Sequence, residues 1–276
     1  MRNSQCSGDL TTPEMWDGFW RRSDCNSRWK LLFNGYGVAA IHQRQINKTL
    51  ELILSDLDST SGDVIELGCA PGRLLEHMAR LRPQHRYHGL DYAEDGVKRA
   101  KVSLRNAGLH CTIHQGDIKT FEPPRKYDLV VSCGLIEHFT NPLPILKAHK
   151  RFCAPNGRVA ITVPNYANPI TKWFIQQLDP KALETHVLET MNERVIGQLF
   201  QQAGFERVRI GSCGGPRLRT ACEKPTFSRS MLRTVARAWN VMAYALPPSL
   251  LWNATIWGIG EVPNEAPEFP AGQNAD

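Results

Sequence analysis

Long apolar runs are missing from this chain of 276 residues: none approaches the roughly 20 consecutive apolar positions that a spanning helix needs. The first ten residues carry two charges and several polar side chains without an apolar core, so they are not read as a secretory signal. Closely spaced cysteines are missing as well. The eight present (Cys6, Cys25, Cys69, Cys111, Cys133, Cys153, Cys213 and Cys222) contain no CxxC pair, which leaves a zinc site without support. Cys69, Cys133 and Cys153 lie in or beside apolar segments, where a free thiol acts as a small hydrophobe. A reduced, cytoplasmic protein is the simplest reading. Nor is charge of one sign abundant. The net charge of +6 is mild, and a nucleic-acid enzyme gathers its Lys and Arg into a patch; the densest basic stretch here is Arg207 to Arg237. There is no internal repeat.

What is present is the composition of a soluble globular protein, 42% hydrophobic and 22% charged, with length for one large α/β domain and some additions. From about residue 63, short β-rich runs alternate with helical patterns, as in a parallel sheet covered on both faces. Strands are predicted at Asp63–Leu67, Arg86–Asp91, Cys111–Gln115, Tyr127–Cys133, Arg158–Val163, Phe205–Ile210 and Ala254–Val262. Helices are predicted at Gly72–Leu81, Glu94–Asn106 (stopped by Gly108), from near Pro142, and at Glu193–Ala203 (stopped by Gly204). Pro144 is tolerable only in the first turn of its helix. The fold class is therefore α/β: a Rossmann-like, seven-stranded, mostly parallel sheet with helices on both faces. The expected organisation is an N-terminal helical lid (1–44), a core (45–212), a helical insertion (213–253) read as an ordered lid, a last core strand (254–262) and a disordered tail (263–276).

Four segments carry chemistry. The first strand ends in an acid and enters the turn Glu66-Leu67-Gly68-Cys69-Ala70-Pro71-Gly72, whose small residues let a ligand approach the backbone at the next helix N-terminus. A nicotinamide-binding turn has its third glycine five positions after the first; here the glycine comes at four and Arg73 at five, which argues against a dinucleotide. Asp91, at the tip of the second strand, can accept both hydroxyls of a ribose, or else cap the helix near Glu94. In Gly116-Asp117-Ile118 the acid can accept from an adenine amino group. Tyr127 to Phe139 ends its strand where a cofactor's reactive atom would lie.

In combination, Glu-Leu-Gly-Cys-Ala-Pro-Gly, Gly89-Leu90-Asp91, Gly116-Asp117 and Tyr127-Asp128-Leu129-Val130 with Glu137-His138 resemble the ordered motifs of class I S-adenosylmethionine-dependent methyltransferases. The small-molecule branch, with the ubiquinone-biosynthesis and natural-product O-methyltransferases, is most similar; Pro155-Asn156-Gly157 and Ala203-Gly204-Phe205 fit its later segments, and the likeness spans about residues 45 to 212. The resemblance implies S-adenosyl-L-methionine as cofactor. Glu66, Gly68, Cys69, Ala70 and Gly72 would line its methionine part, Asp91 and Tyr92 the ribose, Asp117 and Ile118 the adenine, and Ser132, Cys133 and Gly134 the region of the sulfonium. Ala70 stands where glycine is usual. Some relatives hold a divalent metal with Glu-x-x-Glu-His; Gly134 occupies the first of those positions, so no metal is expected.

The acceptor is expected to be a small molecule, through a hydroxyl in preference to nitrogen. His138 and His186 are the candidate general bases, each readable instead as a capping or surface histidine. Trp16 and Trp20 resemble an aromatic segment that folds over substrate, although tryptophans also staple helices to a core; Tyr36 and Trp173 are further substrate candidates. A nucleic-acid substrate is disfavoured because Ser132-Cys133-Gly134-Leu135 replaces the Asn/Asp-Pro-Pro-aromatic and Pro-Cys motifs of base methylation. Two readings stay open: a cofactor-binding protein without catalysis, and peripheral membrane contact through 229–242. There Arg229, Arg233 and Arg237 recur every four residues beside Met231, Leu232, Val235, Trp239 and Met242, or else form a solvated arginine face on a core-packed helix. Oligomeric state is not legible.

Overall fold

The computed structural model describes residues 9–22, 49–55, 57, 61–215, 218, 220, 226–243 and 253–264. In chain order the elements are α1 (Pro13–Arg22), β1 (Asp63–Leu67), α2 (Arg73–Leu81), β2 (Arg86–Asp91), α3 (Glu94–Asn106), β3 (Cys111–Gln115) and β4 (Tyr127–Cys133). A 3₁₀ turn (Ile136–His138) leads to α4 (Leu143–Phe152), β5 (Cys153–Pro164), α5 (Pro169–Leu178) and α6 (Lys181–Glu184). A second 3₁₀ turn (Leu188–Thr190) precedes α7 (Glu193–Gln202), β6 (Glu206–Cys213), α8 (Phe227–Ala243) and β7 (Thr255–Glu261). The seven strands make one sheet in the order β3-β2-β1-β4-β5-β7-β6, with β7 antiparallel to both neighbours and the other pairs parallel.

Every residue of β1 is buried, as the near-continuous apolar run of a strand covered on both faces requires. Ile65 and Leu67 join a core on one face with Val130, Ile161 and Phe200; Val64 joins the other with Leu75, Met78 and Leu104. The two predicted helix stops hold. Gly108 N–H donates to the Arg105 carbonyl at 3.0 Å and Leu109 N–H to Leu104 at 3.0 Å; Gly204 and Phe205 repeat the pattern on Gln201 and Phe200. Both are Schellman endings. Pro144 sits in the first turn of α4, where its missing N–H costs no helical bond.

Two expectations are corrected. Strand β5 begins at Cys153 rather than Arg158 and carries the Pro155-Asn156-Gly157 turn inside it, the register against β4 shifting between Tyr127 and Leu129 to absorb the extra residues. Helices α5 and α6 were not anticipated; Asn168, accepting from the N–H groups of Ile170 and Thr171, and Pro169 behind it form a clear helix start. The insertion, read as an ordered lid, lies only partly within the described residues, and its helix packs on α5. Leu232, Ala236 and Trp239 of α8 pack on Phe174 and Leu178 of α5, and none of its residues lines the cavity described below. The Asn240 amide, buried, donates to the Leu218 carbonyl at 2.9 Å and accepts from its N–H at 2.8 Å, tying the helix to the chain after β6. Of its arginine row, Arg229 and Arg233 are half-buried and Arg237 is exposed, while Phe227 (84% exposed), Met231, Val235 and Met242 point outward. No helix among the described residues is long and apolar enough to cross a membrane. Most of the N-terminal segment 1–44, with Tyr36, and the tail from 265 lie outside the described residues.

Candidate active site

Register builds the site. Leu67 pairs with Leu90 on one side and with Ser132 on the other, and Asp91 pairs with Gln115, so the carboxyl ends of β1 to β4 come out level. Strand order reverses between β1 and β4, which opens a crevice at this edge. A cavity of about 220 Å³ lies there. Of the residues named from sequence, Gly68, Ala70, Asp91, Tyr92, Asp117, Ile118, Cys133, Gly134, Trp16, Trp20 and His138 line it.

The glycine turn is fixed to β2: Gly68 N–H donates to the Leu90 carbonyl at 2.8 Å with Gly68 at φ +76°, and a Cβ there would stand 3.3 Å from Leu135. Asp91, buried and facing the cavity, accepts from Ala70 N–H on Oδ2 and from Ala93 N–H on Oδ1, both at 3.0 Å. A carboxylate has about four acceptor sites, so each oxygen keeps capacity for a ligand hydroxyl. Burial raises its pKa above the usual aspartate value, against the hydrogen bonds that lower it. Asp117 and Ile118 close β3, with Asp117 Oδ1 accepting from Lys119 N–H at 2.9 Å.

Four residues assigned to the cofactor support the cavity without lining it. Glu66 lies buried beneath the turn, its pKa pushed well above the usual glutamate value by desolvation and then by the charge of Asp91, and its Oε2 has no hydrogen-bond partner. Cys69 is buried against β2, where a Cβ on Gly89 would come within 2.6 Å of its sulfur; burial pushes its thiol pKa well up. Gly72, at φ +89°, gives room for Ala100 of α3, whose Cα a Cβ would meet at 3.2 Å. Ser132 turns away from the cavity: its Oγ is 2.8 Å from His149 Nε2, both side chains being buried, while His149 Nδ1 is 2.8 Å from the Ile145 carbonyl. That carbonyl requires N–H on Nδ1, so the Ser132 hydroxyl donates to Nε2. Burial depresses the His149 pKa to about 4.

The N-terminal arm covers the opening. Leu10 N–H donates to the His138 carbonyl at 2.9 Å, Thr11 Oγ1 meets the Tyr92 hydroxyl at 3.3 Å, and Asp17 Oδ1 receives Asp95 N–H at 2.8 Å. Trp16 and Trp20 stack with centroids 6.1 Å apart, and Trp20 rests on Gly96. Trp173 is not brought to the site. On α5 the buried face is Thr171, Phe174, Ile175 and Leu178, and Trp173 falls off that stripe into solvent, 49% exposed.

On the acceptor side, β4 continues through Gly134 (φ +68°) into the 3₁₀ turn that presents Glu137 and His138. His138 Nδ1 lies 2.6 Å from the Thr185 carbonyl and His186 Nδ1 2.5 Å from the Ala182 carbonyl. Each Nδ1 therefore donates, which fixes both rings in the tautomer whose Nε2 is the acceptor. The ring centroids are 4.4 Å apart, with Trp16 5.4 Å from His138 and Tyr166 5.3 Å from His186. His186 is thus behind His138, not on the cavity wall. Glu137 is 1% exposed, and burial pushes its pKa up to about 8. Sequence reading missed three participants: Tyr166, Phe139 and the strap Asp9–Thr11. Only the aromatic character of the first two was a signal; the strap shows none.

Comparison with known proteins agrees with this geometry. The chain matches the methyltransferase-domain family over residues 39–210 and belongs to that family. Among relatives, the ubiquinone biosynthesis O-methyltransferase of Xanthomonas euvesicatoria is 27% identical over 207 residues, 72% of this chain and 82% of that protein. The malonyl-[acyl-carrier protein] O-methyltransferase of Brevibacillus brevis is 22% identical over 198 residues, 67% of this chain and 70% of its own. Among solved structures, the N-methyltransferase NodS of Bradyrhizobium japonicum with S-adenosyl-L-homocysteine superposes with a TM-score of 0.55 at 16% identity, covering 92% of this chain and 100% of that one. The protein is an S-adenosylmethionine-dependent methyltransferase. The cavity fits that cofactor: Asp91 is a buried acceptor with unused lone pairs, and the small residues Gly68 and Ala70 line the cavity beside it.

Proposed function

We propose that the chain methylates a hydroxyl of a small molecule, and that His138 accepts the hydroxyl proton. The observation that carries this reading is His138 on the cavity wall with Nδ1–H spent on the Thr185 carbonyl, so that Nε2 offers a lone pair. Desolvation lowers the His138 pKa below the usual histidine value, which keeps that lone pair available at neutral pH. When bound, the cofactor supplies an electrophilic methyl group on a cationic sulfur. Asp91 would hold the ribose, Asp117 and Ile118 the adenine end, and the turn at Gly68 to Ala70 with Cys133 and Gly134 the methionine end. Trp16 and Trp20, closed over the opening, exclude water and hold a flat acceptor in line. His138 Nε2 would take the proton that the acceptor hydroxyl loses on methylation. The names of the two sequence relatives, both O-methyltransferases, support oxygen over nitrogen. Transfer of labelled methyl to hydroxylated aromatic and acyl compounds tests the reading; transfer to amines alone, with none to any hydroxyl, would overturn it.

A second reading, an acceptor embedded in a membrane, is favoured by the outward face of α8. Phe227, Met231, Val235 and Met242 project from a helix that has no acidic residue, with Arg237 exposed along its edge. Co-sedimentation with anionic vesicles is its check. No binding at low salt removes it.

A further inference from the structure

Asp9 and Asp117 both line the cavity, and the Lys119 ammonium, which does not, reaches both of them. Its Nζ is 2.5 Å from Asp9 Oδ2 and 3.6 Å from Asp117 Oδ2. We propose that Asp9 is a positioning residue for the cofactor: by holding the Lys119 ammonium, it leaves Asp117 free to accept from the adenine amino group. The inference rests on Asp117 receiving the adenine, as in the function proposed above.

Acceptor capacity decides the matter. Asp117 Oδ1 already accepts from the Lys119 N–H at 2.9 Å, so Oδ2 is the oxygen with most room for a ligand. At 3.6 Å the ammonium lies just outside hydrogen-bond reach of Oδ2. The lysine stem is flexible and its three donors turn freely, so without Asp9 a shift of about 1 Å would bring the ammonium into a bond there. A charge-assisted bond of that kind outcompetes a neutral amino group for the same oxygen. Asp9 therefore acts through Lys119, and touching adenine is no part of its role.

Main chain brings Asp9 to this place. Asp9 forms an antiparallel bridge with Phe139, and Leu10 N–H donates to the His138 carbonyl at 2.9 Å. Thr11 Oγ1 then meets the Tyr92 hydroxyl, just past β2, at 3.3 Å. The strap thus touches the acceptor wall through His138 and Phe139, and the cofactor wall through Tyr92 and Lys119. The Asp9 side chain is 19% exposed and that of Lys119 37%, so the pair is partly shielded from the solvent that weakens surface pairs. With the strap docked, Asp117 is open to adenine; with the strap displaced, the ammonium turns to Asp117. Docking of the strap and capture of the adenine therefore favour each other, as linkage requires.

Calorimetric titration of the full chain with S-adenosyl-L-homocysteine, and with S-inosyl-L-homocysteine, which carries an oxo group in place of the amino group, tests the role. Asp9→Asn keeps the size of the side chain and gives up its charge. It should weaken the adenosyl compound roughly tenfold and leave the inosyl compound within about twofold of the parent. In Asp9→Asn/Lys119→Met no ammonium is left to occupy Asp117, and adenosyl affinity should return to within about threefold of the parent. A pair that only anchored the strap would show no such recovery, and its loss would weaken both compounds alike. Unchanged affinity in Asp9→Asn, equal losses for the two compounds, or a double variant as weak as Asp9→Asn each overturns the proposal. Asp117→Ala separates it from the reading beneath it. Adenosyl affinity lost there, with none lost in Asp9→Asn, sinks this inference alone. Unchanged affinity in Asp117→Ala removes the adenine assignment itself, and the inference with it.

Discussion

The two walls of the cavity are made by different means. The cofactor wall consists of strand ends: four parallel strands in level register deliver Gly68, Asp91, Gly116 and Gly134 to one line, and short turns complete it. The acceptor wall consists of pieces that meet only after folding. His138 comes from a 3₁₀ turn, backed by His186 from the loop after α6, and Trp16 comes from an arm that precedes the sheet altogether. A register error of one residue would turn every side chain of a strand to the opposite face, so the cofactor wall is as fixed as the sheet. The acceptor wall can change with loop sequence while the sheet stays the same. One scaffold thereby keeps a cofactor and varies its acceptors.

If the cofactor wall is held at β4 by the buried Ser132–His149 pair beneath it, charging that pair must loosen it. His149 is the strongest test. Its pKa in the folded protein is about 4, against the usual value near 6.5, because burial disfavours the cation. The unfolded chain therefore binds the proton more readily between those values, and stability is full above pH 6.5 and falls as pH is lowered toward 4. The loss is on the order of 3 kcal/mol. Urea unfolding at pH 7 and pH 4.5 measures it in the parent and in His149→Gln. The variant should show a shallower pH slope; equal slopes would mean that His149 does not hold the Ser132 end of β4 as described.

How much of this was legible follows the same division. The helix stops at Gly108 and Gly204, the strand ends and the turn from Glu66 to Gly72 are local signals, written in consecutive residues, and the structure bears out those elements. Asp91 could be assigned a ligand because it sits at a strand tip, a position that sequence alone defines. Ser132 could not be separated from Cys133: neighbours on a strand face opposite ways, and which one meets the cavity depends on His149 in another element. Trp173 was read by type rather than by helical phase, since α5 itself was not predicted. The pairing of His138 with His186 rests on two main-chain carbonyls and a loop closure, none of which leaves a trace in spacing. Glu137 drew notice as part of the Glu137-His138 pair and through Gly134, and no role was assigned to it.

Each wall has its own buried carboxylate, and comparing them sharpens the division. Asp91 accepts two backbone N–H groups and faces the cavity; Glu137 has an oxygen without a partner and belongs to the histidine cluster. Asp91→Ala should weaken S-adenosylmethionine binding by about 1.5–3 kcal/mol, through lost charged hydrogen bonds to the ribose and a loosened turn. Asp91→Asn, which keeps one acceptor oxygen for a backbone N–H, should recover part of that loss. Glu137→Gln should leave cofactor affinity within about 0.5 kcal/mol of the parent, because no cofactor contact is assigned to it. Calorimetric titration of the three variants with the cofactor reads all of this directly. Equal losses in Asp91→Ala and Glu137→Gln would mean that the walls are one coupled unit. The affinity of the cofactor would then depend on the acceptor cluster, and the division drawn from the sheet register would have to be abandoned.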